Sequence, residues 1–578
     1  MSPPKPPDPT TYPYTLGPFT RPITTTSPAC QTWFTRGLTW AYTFNHSEAA
    51  TCFENAIAHD PDCAIAHWGL AYALGPNYNY AWEFFGENLA DAVRRTGEAA
   101  RRAGEIANAD GGSMTPVERA LIHAIQARFP SGDGDGDAVI SADMQVYKAR
   151  NVAYADAMEK VYDAYGESDL DVAALYADSL MSLTPWKLWD LQAGLPPPGT
   201  RTLDAKHVLE NALSHPNAKT HPGILHYYIH LIEMSPSPEL GLVAADHLRG
   251  LVPDSGHANH MPSHLDVLVG DYRAAIRANQ RATAADEKYL HHAGAMNFYS
   301  NYRLHNYHTL IYAAMFAARR DVALEGVERM EATLPKELLL AMPDFVEVFF
   351  SVRPHVLLRF GMWDELKALP LPSDPKLYCV TTAATYYAKG IAYAATGDIR
   401  EAERYQELYS EAVKNVPSTR LDFPNRCIDI LAVGTAMLDG EIAYRKGQYT
   451  AAFESLRKAV ELDDGLGYSE PWSWMQPARH AYAALLLEQG YVEDAAGVYK
   501  ADLGLDNSII RARWHPNNVW ALHGYHECLV RLGKVDEAAV IEPQLRLALA
   551  VADVPVRSSC FCRMQVESGV EAEGDGCC

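Results

Sequence analysis

Apolar and small residues recur along the chain at three- and four-residue spacings, and alternation of β-branched with polar residues is rare. That periodicity predicts helices nearly throughout. A higher-order pattern runs over them. Trp33, Gly37, Trp40, Ala49, Phe53, Ala56 and Pro61 set a bulky residue, a small one and an aromatic ahead of a second helix with small and aromatic positions, closed by proline. The spacing predicts a helix pair. Gly37 and Ala49 allow close approach, Phe53 fills the space between the helices, and Pro61 ends the second helix.

The pattern returns. Gly390, Tyr393, Gly397 and Ala402 fit one unit, and Gly440, Gly447, Tyr449, Ala452, Leu456 and Ala459 another. Gly490, Ala495 and Tyr499 fit a third, and Gly533 and Ala538 a fourth. Mid-chain, Gly270, Ala275 and Ala282 mark a repeat and Ala244 the one before it. Such periodicity of about 34 residues resembles the tetratricopeptide repeat. The expected fold is all-α, an α-solenoid or superhelix of antiparallel helix pairs enclosing a concave pocket. Expected boundaries are a Pro/Thr-rich arm over 1–28, the array with inserted loops over 29–550, and a Cys-containing acidic tail over 551–578. Thr115 and Glu118 form a capping box at a helix start. Ser131 to Asp137 is an acidic glycine-rich stretch without the ligand spacing of a calcium loop. Leu195 to Gly199 is a rigid break.

Composition narrows the classes of function. The 578 residues carry 49 Lys+Arg against 72 Asp+Glu, a net charge of −23. Phosphate backbones and anionic membrane surfaces would repel such a chain, so neither nucleic acid nor membrane is an expected partner. No stretch is apolar and long enough to span a bilayer. Residues Met1 to Pro18 lack the apolar core of a secretory signal, so a cytoplasmic location is expected. Cysteines scattered through helical-looking segments, Cys52, Cys63, Cys379, Cys427 and Cys528, read as small buried residues rather than a disulfide framework. Cys560 and Cys562, and the terminal Cys577 and Cys578, stand in the expected tail.

Histidines are concentrated mid-chain. His226, His230 and Glu233 share one face of a helix that follows His221 and Pro222. Two imidazoles at i, i+4 are a standard pair of metal ligands. Glu233 would be a third ligand, or an outer acceptor orienting an imidazole N–H. His257, His260 and His264 form a second cluster. Pro262 suits a first helical turn, which places His257 in the preceding loop, His260 near the helix start and His264 inside it. His305 and His308 form an i, i+3 pair on a later helix. With Ala244, Ala275 and Ala323 as equivalent second-helix alanines, all three clusters fall early in successive first helices. His46 reads as a turn residue. A single histidine in a helical repeat is ordinarily a packing residue, and His67, His123, His207, His247 and His480 are read so.

Aromatic residues flank the same segments: Tyr227, Tyr228, Tyr299, Tyr302 and Tyr307. Tyr227, Tyr299, Arg303, Trp472 and Trp474 are candidate substrate contacts, though the tryptophans suit packing between helix pairs slightly better. Arg303 and Arg353 would suit a substrate carboxylate. Glu233 and Tyr228 are the candidate catalytic residues. No phosphate-binding loop, dinucleotide fingerprint, nucleophile elbow or H-E-x-x-H is present.

The chain resembles a family of tetratricopeptide-repeat proteins of bacteria and fungi. Trp33, Phe44 to His46, Asp60 to Ala64 and Ala73 to Asn77 carry the resemblance, with the segments His221 to His230 and His260 to His264. The resemblance implies that the first helices line a concave inner wall, and that such arrays bind peptides. Peptide-clamp arrays, however, present Lys, Arg and Asn where this chain has His and Tyr.

The expected function is a metal-dependent enzyme. The set is rich in imidazole and poor in carboxylate, which leans towards copper, with iron or zinc as the other candidates and two groups of three permitting two ions. The expected reaction is oxidation of a small aromatic or amino-acid-like substrate in the groove. One alternative is a scaffold binding a protein segment. A second is a zinc-dependent hydrolase with Glu233 as base for a bound water.

Overall fold

The structure is a computed structural model and describes residues 6–130 and 140–563. It is all-α, as the periodicity predicts. Among the described residues the only strands are the two-residue pair Leu421–Asp422 and Asn425–Arg426. The chain divides into two compact units. The first is Met1–Leu265 with Ala278–Ala293, and the second is Asp266–Arg277 with Gly294–Cys578. No helix is long and apolar enough to cross a membrane, among the described residues.

The first unit begins with the predicted pair, Pro28–Tyr42 and His46–His59, followed by Ala64–Leu74. Phe53 is the wedge among all three helices and is fully buried. A Cβ on Gly37 would stand 2.8 Å from the Phe53 ring, and one on Gly69 only 2.3 Å. Nothing larger than glycine fits at either position, and this close approach sets the spacing of the helices. His59 ends the second helix just before Asp60 and Pro61. Phe44 joins the pair with a left-handed backbone, φ 58°. Asn45 caps the next helix by accepting from the Glu48 N–H.

The Pro/Thr-rich arm is part of this unit. Arg21 donates to Asp169 at 2.8 and 3.0 Å and to Asp171 at 2.6 Å. Asp171 also accepts from the Tyr42 hydroxyl at 2.6 Å and bonds the His221 Nε2 at 3.1 Å. Arg21, buried at 7% exposure, holds the Asp171 carboxyl well below the usual carboxylate range against the opposing cost of burial. Farther along the arm, the Thr24 N–H and hydroxyl both donate to Glu118, at 2.7 and 2.5 Å. Glu118 also closes the predicted capping box with Thr115.

The second unit repeats the helix pair: Cys379–Ala395 with Ile399–Lys414, Cys427–Arg445 with Tyr449–Asp464, Ala478–Glu488 with Val492–Asp502, and Val519–Arg531 with Val535–Leu549. Leu456 meets Gly440 as Phe53 meets Gly37, with a Cβ there 2.7 Å from the leucine. Val556, Ser558, Ser559, Cys562 and Arg563 are buried in the second unit. The Arg563 guanidinium donates to both oxygens of Glu527 at 2.7 and 2.8 Å, and the Ser559 hydroxyl donates to the His480 carbonyl at 2.7 Å. Cys560 and Cys562 are joined by a disulfide. The acidic stretch Ser131 to Asp137, the terminal Glu567 to Cys578 and the first five residues lie outside the described residues.

Candidate metal centre

His226, His230 and Glu233 lie on the helix Pro222–Glu233, every residue of which is buried. His221 caps its start by accepting from the Ile224 N–H. The loop expected to carry His257 is instead a short helix, Gly256–His260, continued after Met261 by Pro262–Val269. Two polar side chains make that turn. Ser255 accepts from the Ala258 N–H, and the Asn259 amide donates to the carbonyls of Pro253 and Ser255 at 2.9 Å each. His257, His260 and His264 are all buried.

The two segments bring five imidazoles together. The Nε2 atoms of His226 and His257 are 3.0 Å apart, and those of His260 and His264 are 2.6 Å apart. Donor atoms of His226, His230 and His257 all lie within 4.8 Å of one another, as do those of His230, Glu233 and His264.

The other ring nitrogens fix the protons. His226 Nδ1 is 2.6 Å from the Tyr42 carbonyl oxygen, and His260 Nδ1 is 2.6 Å from the side-chain oxygen of Asn279. His230 Nδ1 is 2.9 Å from Glu233 Oε1, and His264 Nδ1 contacts Glu233 Oε2. Carbonyl and carboxylate oxygens accept only, so each of these four rings carries its proton on Nδ1 and its lone pair on Nε2. Glu233 thus orients two imidazoles at once.

Burial sets the charge. His226 is pushed down to about 3, chiefly by burial. His257 is held well below the ordinary imidazole value by burial and by its neighbouring rings. Both therefore stay neutral, the form that binds metal. Phe44 roofs the cluster, with ring centroids 4.5, 5.7 and 5.5 Å from His226, His230 and His257. Tyr78 covers His230 at 5.1 Å.

Tyr228 points to the helix Thr202–Leu213, where its hydroxyl donates to Glu210 at 3.2 Å. Tyr227, one residue earlier, packs on Phe44 and Tyr42 beside His226. His46 bonds the Ala73 carbonyl through Nδ1 at 2.9 Å. In the second unit, His305 and His308 lie on the helix Tyr299–Phe316, and His308 Nε2 is 2.7 Å from Met475 Sδ. Arg303 is buried there and donates to Ser300 and to the Thr333 carbonyl. Tyr299 packs against Tyr302. Trp472 donates to the Ala512 carbonyl and stacks on Tyr312, while Trp474 packs on His355 and Tyr387. Arg353 forms a two-pronged pair with Glu331 at 3.0 and 2.8 Å, so its guanidinium is already matched to a carboxylate of the chain.

The sequence reading missed Phe44 as a roof, Tyr78, and Asn279 as the partner of His260. Phe44 and His46 stand close together in the sequence, and the positive φ of Phe44 accompanies the turn that sets its ring over the imidazoles. Asn279, nineteen residues from His260, leaves no local sequence signal.

Residues 440–465 match the tetratricopeptide repeat family. No curated protein matches the chain. Solved structures similar to it include the following. The APC/C hetero-tetramer Cut9–Hcn1 is 13% identical, with 84% of this chain and 74% of that chain covered and a TM-score of 0.30. Yeast Tom70 is 11% identical, with 89% of each chain covered and a TM-score of 0.28. The Naa15/Naa10 structure bound to HypK-THB is 14% identical, with 90% of this chain and 70% of that chain covered and a TM-score of 0.22. The matched segment spans the turn of one helix pair, Cys427–Arg445 with Tyr449–Asp464, in a run of such pairs.

Proposed function

We propose that the protein is a metal-dependent oxidoreductase whose centre is the imidazole set His226, His230, His257, His260 and His264. One observation carries the reading. His260 and His264 face each other through Nε2 at 2.6 Å while both Nδ1 atoms point at acceptors. Two opposed lone pairs repel, and a cation shared between them turns that repulsion into coordination. The ring orientation supports the same reading, because metal-bound histidines typically give their other N–H to a carboxylate or carbonyl.

Copper suits the set best. All five inner donors are nitrogen, and the one carboxylate is occupied with two imidazole N–H groups. His226 and His257 Nε2 are 3.0 Å apart. Nitrogen donors at that separation would hold one ion between them, and an all-imidazole set suits copper. Glu233 has the posture of an orienting carboxylate rather than of a base for a zinc-bound water. A redox ion held by neutral imidazoles in an apolar shell suits oxidation of a small organic substrate.

Elemental analysis of protein purified without a histidine tag tests this. Stoichiometric copper or iron that disappears in a His226→Ala/His264→Ala double variant is the expected result. Wild-type protein that is clean of metal, and takes up none when copper or zinc is added, would overturn the proposal. The repeat at 440–465 favours a second reading, a scaffold for a protein segment. Metal-free protein that folds and binds a partner normally is the result that would support it.

A further inference from the structure

A second cluster of metal-ligating side chains lies in the first unit, on different residues. Cys30 is the third residue of the helix Pro28–Tyr42, and Cys63 is the residue that caps the helix Ala64–Leu74. Both thiols are buried, at 0% and 2% exposure. Asp60 joins them from the turn between the second and third helices. The two sulfurs and a carboxylate oxygen of Asp60 all lie within 4.8 Å of one another.

We propose that Cys30, Asp60 and Cys63 form a binding site for a thiophilic divalent cation, zinc being the natural occupant. Three features argue for a cation. Each sulfur stands at the start of a helix of eleven residues or more, where the positive end of the helix dipole favours nearby negative charge. A carboxylate placed against two such sulfurs adds negative charge that a divalent ion balances, and two sulfurs with one oxygen are an ordinary zinc donor set. The arm also holds the carboxylate in place: the Thr25 hydroxyl donates to Asp60 Oδ2 at 2.5 Å. Cys52, another buried thiol of the same unit, has Glu48 and Tyr12 as its neighbours instead.

The site does not involve the histidine centre, and its test reads sulfur alone. The full chain carrying Cys577→Ser/Cys578→Ser, reduced and stripped of metal, is titrated with cadmium(II) while the ultraviolet thiolate-to-cadmium charge-transfer absorption is followed. Imidazoles give no such band. The expected difference between this parent and its Cys30→Ser/Cys63→Ser derivative is about one equivalent of absorbing cadmium. Cys52→Ser should leave the signal intact. Asp60→Asn retains both thiols and should require about tenfold more cadmium for half-saturation, which keeps the proposal testable if the double variant fails to fold. Identical uptake by the parent and the Cys30→Ser/Cys63→Ser derivative would overturn the site. So would an Asp60→Asn curve that overlays the parent's, or reduced parent protein that gives no band.

Discussion

Replacing Glu233 with glutamine tests the geometry of the imidazole centre without changing its volume. Glu233 is 2% exposed, and its two oxygens accept from His230 and His264. A glutamine keeps one acceptor and turns the other oxygen into an NH2 donor. One of the two imidazoles then meets a donor through its Nδ1–H, and relieves the clash by moving its proton to Nε2. That ring ceases to be a ligand. Two independent magnitudes agree. A hydrogen bond to a charged group contributes about 1.5–3 kcal/mol. Loss of an orienting partner lowers metal affinity about 10- to 100-fold, equivalent to about 1.4–2.7 kcal/mol. Competition titrations against a chelator, with wild type and Glu233→Gln side by side and circular dichroism as the control for folding, measure the difference. A variant that binds copper within about twofold of wild type would refute the orienting role of the carboxylate, since the expected loss starts near tenfold.

Acid should destabilise the metal-free protein early. Burial lowers His46, His355 and His480 to about 4 each. In the unfolded chain these rings take up protons near about 6.5, so stability present above that pH is lost as pH falls towards 4, by about 1.4 kcal/mol per ring per pH unit. Thermal melts at two pH values on either side of 6 measure this, and a flat Tm would contradict it. Arg21→Met leaves Asp171 buried without its cation and should cost about 3–5 kcal/mol in urea unfolding. A loss below about 1 kcal/mol would show that the arm contributes no more than a surface pair.

How much of this was legible in the sequence follows from the range of each interaction. The Gly37–Phe53 wedge and the shared face of His226, His230 and Glu233 rest on spacings within one helix or between neighbours, and both were readable. Repeat register predicts that the segments of His226/His230 and His260/His264 face one groove; the approach of the His257 ring to His226 has no such signal. The short helix that carries His257 was not readable, because it depends on Ser255 and Asn259 bonding nearby carbonyls and amides. Nor was the choice between Tyr227 and Tyr228. Adjacent helical residues point about 100° apart, and only tertiary contacts decide which one lies beside the imidazoles. Arg21 finds its partners some 150 residues away, so its segment read as a loose arm. Arg353 looked available for a substrate because Glu331 is out of sight along the chain.

Phe44 places two demands on one position. Its φ of 58° is a conformation that glycine adopts without penalty and an aromatic residue seldom does. Its ring is nonetheless the apolar cover of three imidazoles. Relaxing the backbone with glycine would admit water to the rings and raise the local polarity around any ion they hold, while keeping the aromatic preserves a dry environment at the expense of a strained turn. The connection between the first two helices is therefore tied to the imidazoles beneath it, and under the proposed function, variation that an ordinary inter-helix turn would tolerate would here change the surroundings of the bound ion.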